Sequence, residues 1–192
     1  MHLAAKHGHV STIKVIAKID PLLLSSKGQF DRTPLHTAAE SGQLEAVKII
    51  VKQNPSLLAA KTPVNQTPLH MAAQSGHLNV VEFITKQDPS SLTARAYRNY
   101  TTIHLATQYG QLNIVEYIVK QDPLFLEAKS DNDFTPLHMA VYYDHLNIVE
   151  FIVKKNPALL RKKDTDGNTP LDLAKALKRQ EIVEFLESKP QA

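Results

Sequence analysis

Apolar and polar positions along this chain recur at one fixed interval. Thr33-Pro34-Leu35-His36 returns as Thr67-Pro68-Leu69-His70, as the variant Thr101-Thr102-Ile103-His104, as Thr135-Pro136-Leu137-His138 and as Thr169-Pro170-Leu171-Asp172, a step of 34 residues each time. Pro21, Pro55, Pro89, Pro123 and Pro157 keep the same step. So do Gly8, Gly42, Gly76 and Gly110, with Asp144 and Lys178 in the next two slots. A period in this range means stacked supersecondary units, none of which buries its apolar face alone.

One unit shows what the pattern predicts. Pro68 after Thr67 suits a helix start, because the missing N–H has no intrahelical partner there. That helix runs through Leu69, Met71, Ala72 and Ala73 and stops at Gly76, a residue that tolerates a left-handed turn. A second helix follows, with Leu78, Val81, Phe83 and Ile84 expected as its buried side and Asn79, Glu82 and Lys86 left to solvent. It ends at Asp88-Pro89, since a residue before proline is pushed out of the α region; Asn54, Asp122 and Asn156 mark the same stop. Apolar pairs such as Leu57-Leu58 and Leu159-Leu160 come next, then a polar turn. There Asp31, Asn65, Asn99, Asp133 and Gly167 share one phase, all of them residue types that enter left-handed conformations readily.

Helix, turn, helix and projecting turn, with Thr-Pro-Leu-His and Gly-His-Leu-Asn-Val-Val-Glu-Phe in phase, resemble the ankyrin repeat family over essentially the whole chain. The step exceeds the usual 33 residues by one. The extra residue is placed near the Asp-Pro or Asn-Pro segment, a variant similar to those of some plant and bacterial ankyrin proteins. The resemblance implies an all-α helical solenoid of paired antiparallel helices with projecting turns. By phase, residues 1–192 form a single array: a partial repeat 1–27, then 28–61, 62–95, 96–129 and 130–163, and a capping repeat 164–192. Asp172, Lys175, Lys178 and Gln180 make the last unit polar where a further repeat would meet it, as a terminal repeat needs for solubility. The start carries no comparable cap, so a fragment or trimmed form of a longer array is expected.

Composition narrows the function. The chain is 43% hydrophobic and 21% charged, ordinary for a folded soluble protein. It has no membrane-length apolar run and no signal-peptide pattern, so a soluble cytoplasmic setting is expected. Zero cysteines remove disulfides, thiolate zinc sites and thiol catalysis. The formal charge is +3, but 22 Lys and Arg are interleaved with 19 Asp and Glu, so nucleic acid is not implied. Arg161-Lys162-Lys163 adjoins Asp164 and Asp166 and reads as a solvated turn.

The nine histidines invite a metal or general-base reading. His2, His36, His70, His104 and His138 occupy one phase, however, and His9, His77 and His145 another. A residue repeated once per unit serves the unit, and the resemblance implies that this His bonds the turn. Copies one repeat apart lie about 10 Å from each other, too far to share a metal whose bonds to His are about 2 Å. Asn65-Gln66-Thr67 and Asn99-Tyr100-Thr101 match the glycosylation pattern only as by-products of turn Asn and helix-start Thr. No phosphate loop, nucleophile elbow or paired catalytic motif is present, so no catalytic residue, metal or cofactor is expected.

What remains is the set of positions that the repeat leaves free. In ankyrin proteins the projecting turns and the exposed end of the first helix line a groove that holds partners. The turn slots here are 28–32, 62–66, 96–100, 130–134 and 164–168. The helix slots are Lys6 and His7, Glu40 and Ser41, Gln74 and Ser75, Gln108 and Tyr109, Tyr142 and Tyr143, and Ala176 and Leu177. Five of the six tyrosines fall in these slots, Tyr97, Tyr100, Tyr109, Tyr142 and Tyr143, joined by Phe30 and Phe134. Surface aromatics cost solubility and supply contact area, which is why Tyr is common at interface hot spots. Arg32 and Arg98 add a polar rim, with Asp131 and Asp133 near the latter. Tyr117, in phase with Phe83 and Phe151, reads as packing. The expectation is a monomeric, non-catalytic module that binds a protein or peptide, with no direct membrane insertion. The alternative is an engineered or idealised scaffold without a natural partner.

Overall fold

Helices begin where the Thr-Pro pairs put them. The computed structural model describes residues 1–189 and holds, among these, twelve α-helices and no strand. They come in pairs: α1 (His2–Lys6) with α2 (Val10–Ile19), α3 (Pro34–Glu40) with α4 (Leu44–Gln53), and α5 (Pro68–Gln74) with α6 (Leu78–Gln87). Then α7 (Thr102–Gln108) pairs with α8 (Leu112–Gln121), α9 (Pro136–Tyr142) with α10 (Leu146–Lys155), and α11 (Pro170–Ala176) with α12 (Gln180–Glu187). The periodic prolines open short 3-10 turns after α2, α4, α6, α8 and α10. No helix among the described residues is long and apolar enough to cross a membrane.

The chain forms two compact units, Met1–Tyr97 and Arg98–Ala192. In the first, α3 packs against α1 and α5, and α4 against α2 and α6. In the second, α9 packs against α7 and α11, and α10 against α8 and α12. Each second helix buries a stripe, which in α6 is Val80, Val81, Ile84 and Thr85. This corrects the expected stripe: Val80 is fully buried, whereas Leu78 and Phe83 are only partly covered. The stripe is rotated because the helix packs against its own partner and its neighbours at once. Tyr117 is likewise half-buried rather than in the core.

His36, His104 and His138 act as stitches to the next turn. His36 Nδ1 accepts from the Thr33 backbone N–H at 3.2 Å and lies 2.9 Å from the Thr33 hydroxyl. This is a capping box with imidazole in the usual Glu or Gln position. An accepting Nδ1 puts the ring proton on Nε2, which donates to the Gln66 carbonyl in the next turn at 3.1 Å. His104 reaches the Phe134 carbonyl at 3.0 Å and His138 the Asn168 carbonyl at 3.3 Å in the same way. Burial pushes His36 and His70 down to about 4 and lowers His138 as well, since a charged ring there loses its water. Asp172 keeps only the local half of this bond, accepting from Thr169 N–H at 3.0 Å and from its hydroxyl at 2.6 Å.

Candidate functional site

The projecting turns differ by the residue that opens them. Thr62, Ser130 and Asp164 share a slot and each accepts a backbone N–H within its own turn, from Gln66 at 3.1 Å, Asn132 at 3.3 Å and Asn168 at 2.8 Å respectively. Those turns hold one left-handed residue each, Asn65, Asp133 and Gly167. Gly28 and Ala96 offer no such acceptor, and their turns put two consecutive residues at positive φ: Phe30 (56°) with Asp31 (54°), and Arg98 (59°) with Asn99 (58°). A bulky side chain there is strained. The sequence predicts the second residue of each pair and misses the first.

Turn slot and helix slot meet in the second, third and fifth repeats. Arg32 Nη1 lies 2.7 Å from Glu40 Oε2, an ion pair. Gln66 Nε2 donates to Gln74 Oε1 at 3.3 Å. In the fifth repeat the same two slots hold Phe134 and Tyr142, with ring centroids 6.1 Å apart. One backbone arrangement thus carries a charged, an amide or an aromatic pair.

Aromatics gather in the second unit. Tyr142 meets Tyr143 edge-on at 5.1 Å, and Gln108 Nε2 donates to the Tyr143 hydroxyl at 3.1 Å. Tyr109, Tyr142 and Tyr143 stay 47%, 44% and 36% exposed. Tyr100 and Phe134 are half-buried, stacked on the stitching rings of His104 and His138 at 5.8 and 5.5 Å. Burial raises the Tyr143 phenol, and the phenols of Tyr100, Tyr142 and Tyr109 add to this while Arg98 opposes it. Phe30, Arg32 and Tyr97 belong to the first unit. Phe30 and Arg32 line a cleft of about 380 Å³ there, with His2, Lys6, Glu40 and Ser41.

A family model described as ankyrin repeats (3 copies) matches residues 1–95, 56–125, 85–162 and 103–191. The chain belongs to the ankyrin repeat family. Comparison with curated proteins gives no match. Ankyrin repeats are in general protein–protein interaction modules and typically non-catalytic. Three residues shape the aromatic cluster of this ankyrin protein through contacts that phase alone does not predict: Gln108, a groove slot that also holds the Tyr143 hydroxyl, and the pair Asp144 and Arg179, the latter not singled out by the sequence pattern. In the third and fifth repeats a His in the slot of Arg179 sits over the turn glycine of the preceding repeat and bonds back to it, His77 to Glu40 O at 2.9 Å and His145 to Gln108 O at 3.0 Å. A Cβ on Gly42 would come within 2.5 Å of the His77 ring. Where Asp144 replaces the glycine, Arg179 replaces the His, pairing with Asp144 at 3.2 Å and donating to Tyr142 O at 3.1 Å. The pair anchors the backbone that presents Tyr142 and Tyr143.

Proposed function

We propose that this ankyrin protein is a non-catalytic binding module that holds a protein or peptide in the groove of its second unit, on Tyr100, Tyr109, Phe134, Tyr142 and Tyr143. It works as a cytoplasmic monomer without a cofactor. One observation carries the reading: these groove slots hold partly exposed aromatics, while the matching slots of the third repeat hold Gln66, Gln74 and Ser75. Exposed aromatic surface of this kind gains most when a partner covers it. The matched exchange at Asp144 and Arg179 favours a sequence shaped by use over an idealised scaffold, which would repeat Gly and His in those slots.

The test takes peptides selected for binding to the whole chain and measures each against Tyr109→Ala, Tyr142→Ala and Gln74→Ala, with a thermal melt of every variant. The tyrosine variants should lose about 2 kcal/mol or more of binding, as hot-spot residues do, with little change in melting. Gln74→Ala should change neither. Unchanged affinity with a collapsed melt would make the tyrosines packing residues and end the proposal.

A further inference from the structure

The second helices of the first unit enclose a pocket that no groove slot lines. It holds about 420 Å³ where α4 and the 3-10 turn after it meet α6. Lys48, Val51 and Lys52 fall at helical spacing and share one face of α4, while Pro55 and Leu58 belong to the turn. Phe83 and Gln87, four residues apart on α6, line it from the other side. Val51 and Leu58 are 4% and 7% exposed and make an apolar floor, with the half-buried Phe83 ring as a wall. An apolar concavity of this size with a few polar groups has the form of a ligand site.

The repeats that follow fill the same slots differently. The slot of Lys48 holds Glu82, Glu116 and Glu150, and the aromatic one repeat on from each is Tyr117, Phe151 and Phe185. Lys14, earlier in the chain, is followed one repeat on by Ile49. Two lysines with a ring and no acid therefore coincide in these slots only at Lys48, Lys52 and Phe83. In the fifth and sixth repeats a lysine in the slot of Gln87 also stands over the ring, Lys155 at 5.7 Å from the Phe151 centroid and Lys189 at 4.2 Å from that of Phe185. Lys48 Nζ lies 2.7 Å from Glu45 Oε1, which engages one of its three donors. The Lys52 ammonium forms no ion pair among the described residues. Two ammonium groups against one carboxylate leave the rim cationic beside an apolar wall, the complement of a ligand that is apolar and anionic in adjacent groups. Lys52, Pro55 and Gln87 at the rim are all exposed, so a peptide chain can run on from the pocket.

We infer that this pocket is a docking site separate from the groove, which takes a peptide segment of a protein partner through a large apolar side chain on Phe83 and an adjacent carboxylate on Lys48 and Lys52.

The probes are acetyl-Phe-Glu-amide and acetyl-Glu-Phe-amide, each with its Gln counterpart, titrated into the whole isotope-labelled chain and followed by backbone amide shifts. Saturable binding is expected for at least one order, with a dissociation constant on the order of a millimolar. Its shifts should centre on residues 48–58 and 83–87, and the Gln probe should bind about fivefold more weakly. Lys48→Glu, which installs the residue of the later repeats, should erase the preference for Glu, and Tyr142→Ala should change nothing. The exchange of Glu for Gln needs no protein variant, so a folding defect cannot hide the answer. Absence of saturable binding, shifts centred on Tyr109 and Tyr142, equal affinity for Glu and Gln probes, or a preference that survives Lys48→Glu would each overturn the inference. None of these results depends on whether the groove of the second unit holds a partner.

Discussion

Residues 62–95 and 130–163 carry the same Thr-Pro-Leu-His-Met-Ala helix start and nearly the same second helix. Both bury the His and Met of the first helix. They part at the slots that face the groove, where Gln66 bonds Gln74 in one and Phe134 packs by Tyr142 in the other. Helix starts, stops and turns are unaffected by the exchange. The lesson is that the fold leaves these slots free, so their content reflects what touches them. The amides of the third repeat satisfy each other, whereas the rings of the fifth keep apolar surface in water.

The largest effect should come from the buried helix-start histidines, which recur from repeat to repeat. His36 and His70 have a folded pKa of about 4 against an ordinary 6.5, so the unfolded chain takes up these protons first. Stability is therefore whole above pH 6.5 and drains away as pH falls toward 4, by about 3 kcal/mol for each ring. Urea midpoints should fall steeply from pH 7 to pH 4; equal midpoints would mean that the rings are not held buried and neutral in the fold. Next in size is the fourth repeat, where Thr107 occupies the fully buried slot held by Val141 in the fifth and its hydroxyl makes no hydrogen bond. Thr107→Val should stabilise by about 1 kcal/mol, read as a raised urea midpoint, and a lowered midpoint would show that the hydroxyl is satisfied. The smallest effect belongs to Thr102, which stands where the other repeats have proline. Its preceding residue is already extended, with φ −93° and ψ 174°. Thr102→Pro should add roughly 0.4–1 kcal/mol by restricting the unfolded chain; a loss in the same assay would mean that the helix start is not preorganised for proline.

Much of this was legible in phase alone. Thr33 and its successors mark helix starts, Asp88 and Asn156 mark stops, and Asn65 and Asp133 take the left-handed conformation their chemistry allows. Three features were not. Phe30 and Arg98 enter left-handed space because Gly28 and Ala96 supply no side-chain acceptor, a property of the turn rather than of the strained residue. Val80 replaces Phe83 in the buried stripe because packing against several neighbours turns α6. Asp144 looked irregular until Arg179, 35 residues on, was found beside it. In the candidate site the aromatic slots were visible from sequence, but the stacking of Tyr100 and Phe134 on histidines and the hold of Gln108 on Tyr143 depend on the folded geometry.

The most direct measurement transplants one repeat's slots into the other. The triple variant Phe134→Gln, Tyr142→Gln, Tyr143→Ser gives the fifth repeat the groove residues of the third, and its thermal melt and its affinity for peptides selected on the wild type are measured together. A cooperative melt close to that of the wild type is expected, with peptide binding lost. Binding retained at wild-type affinity, or a chain that no longer folds, would contradict it.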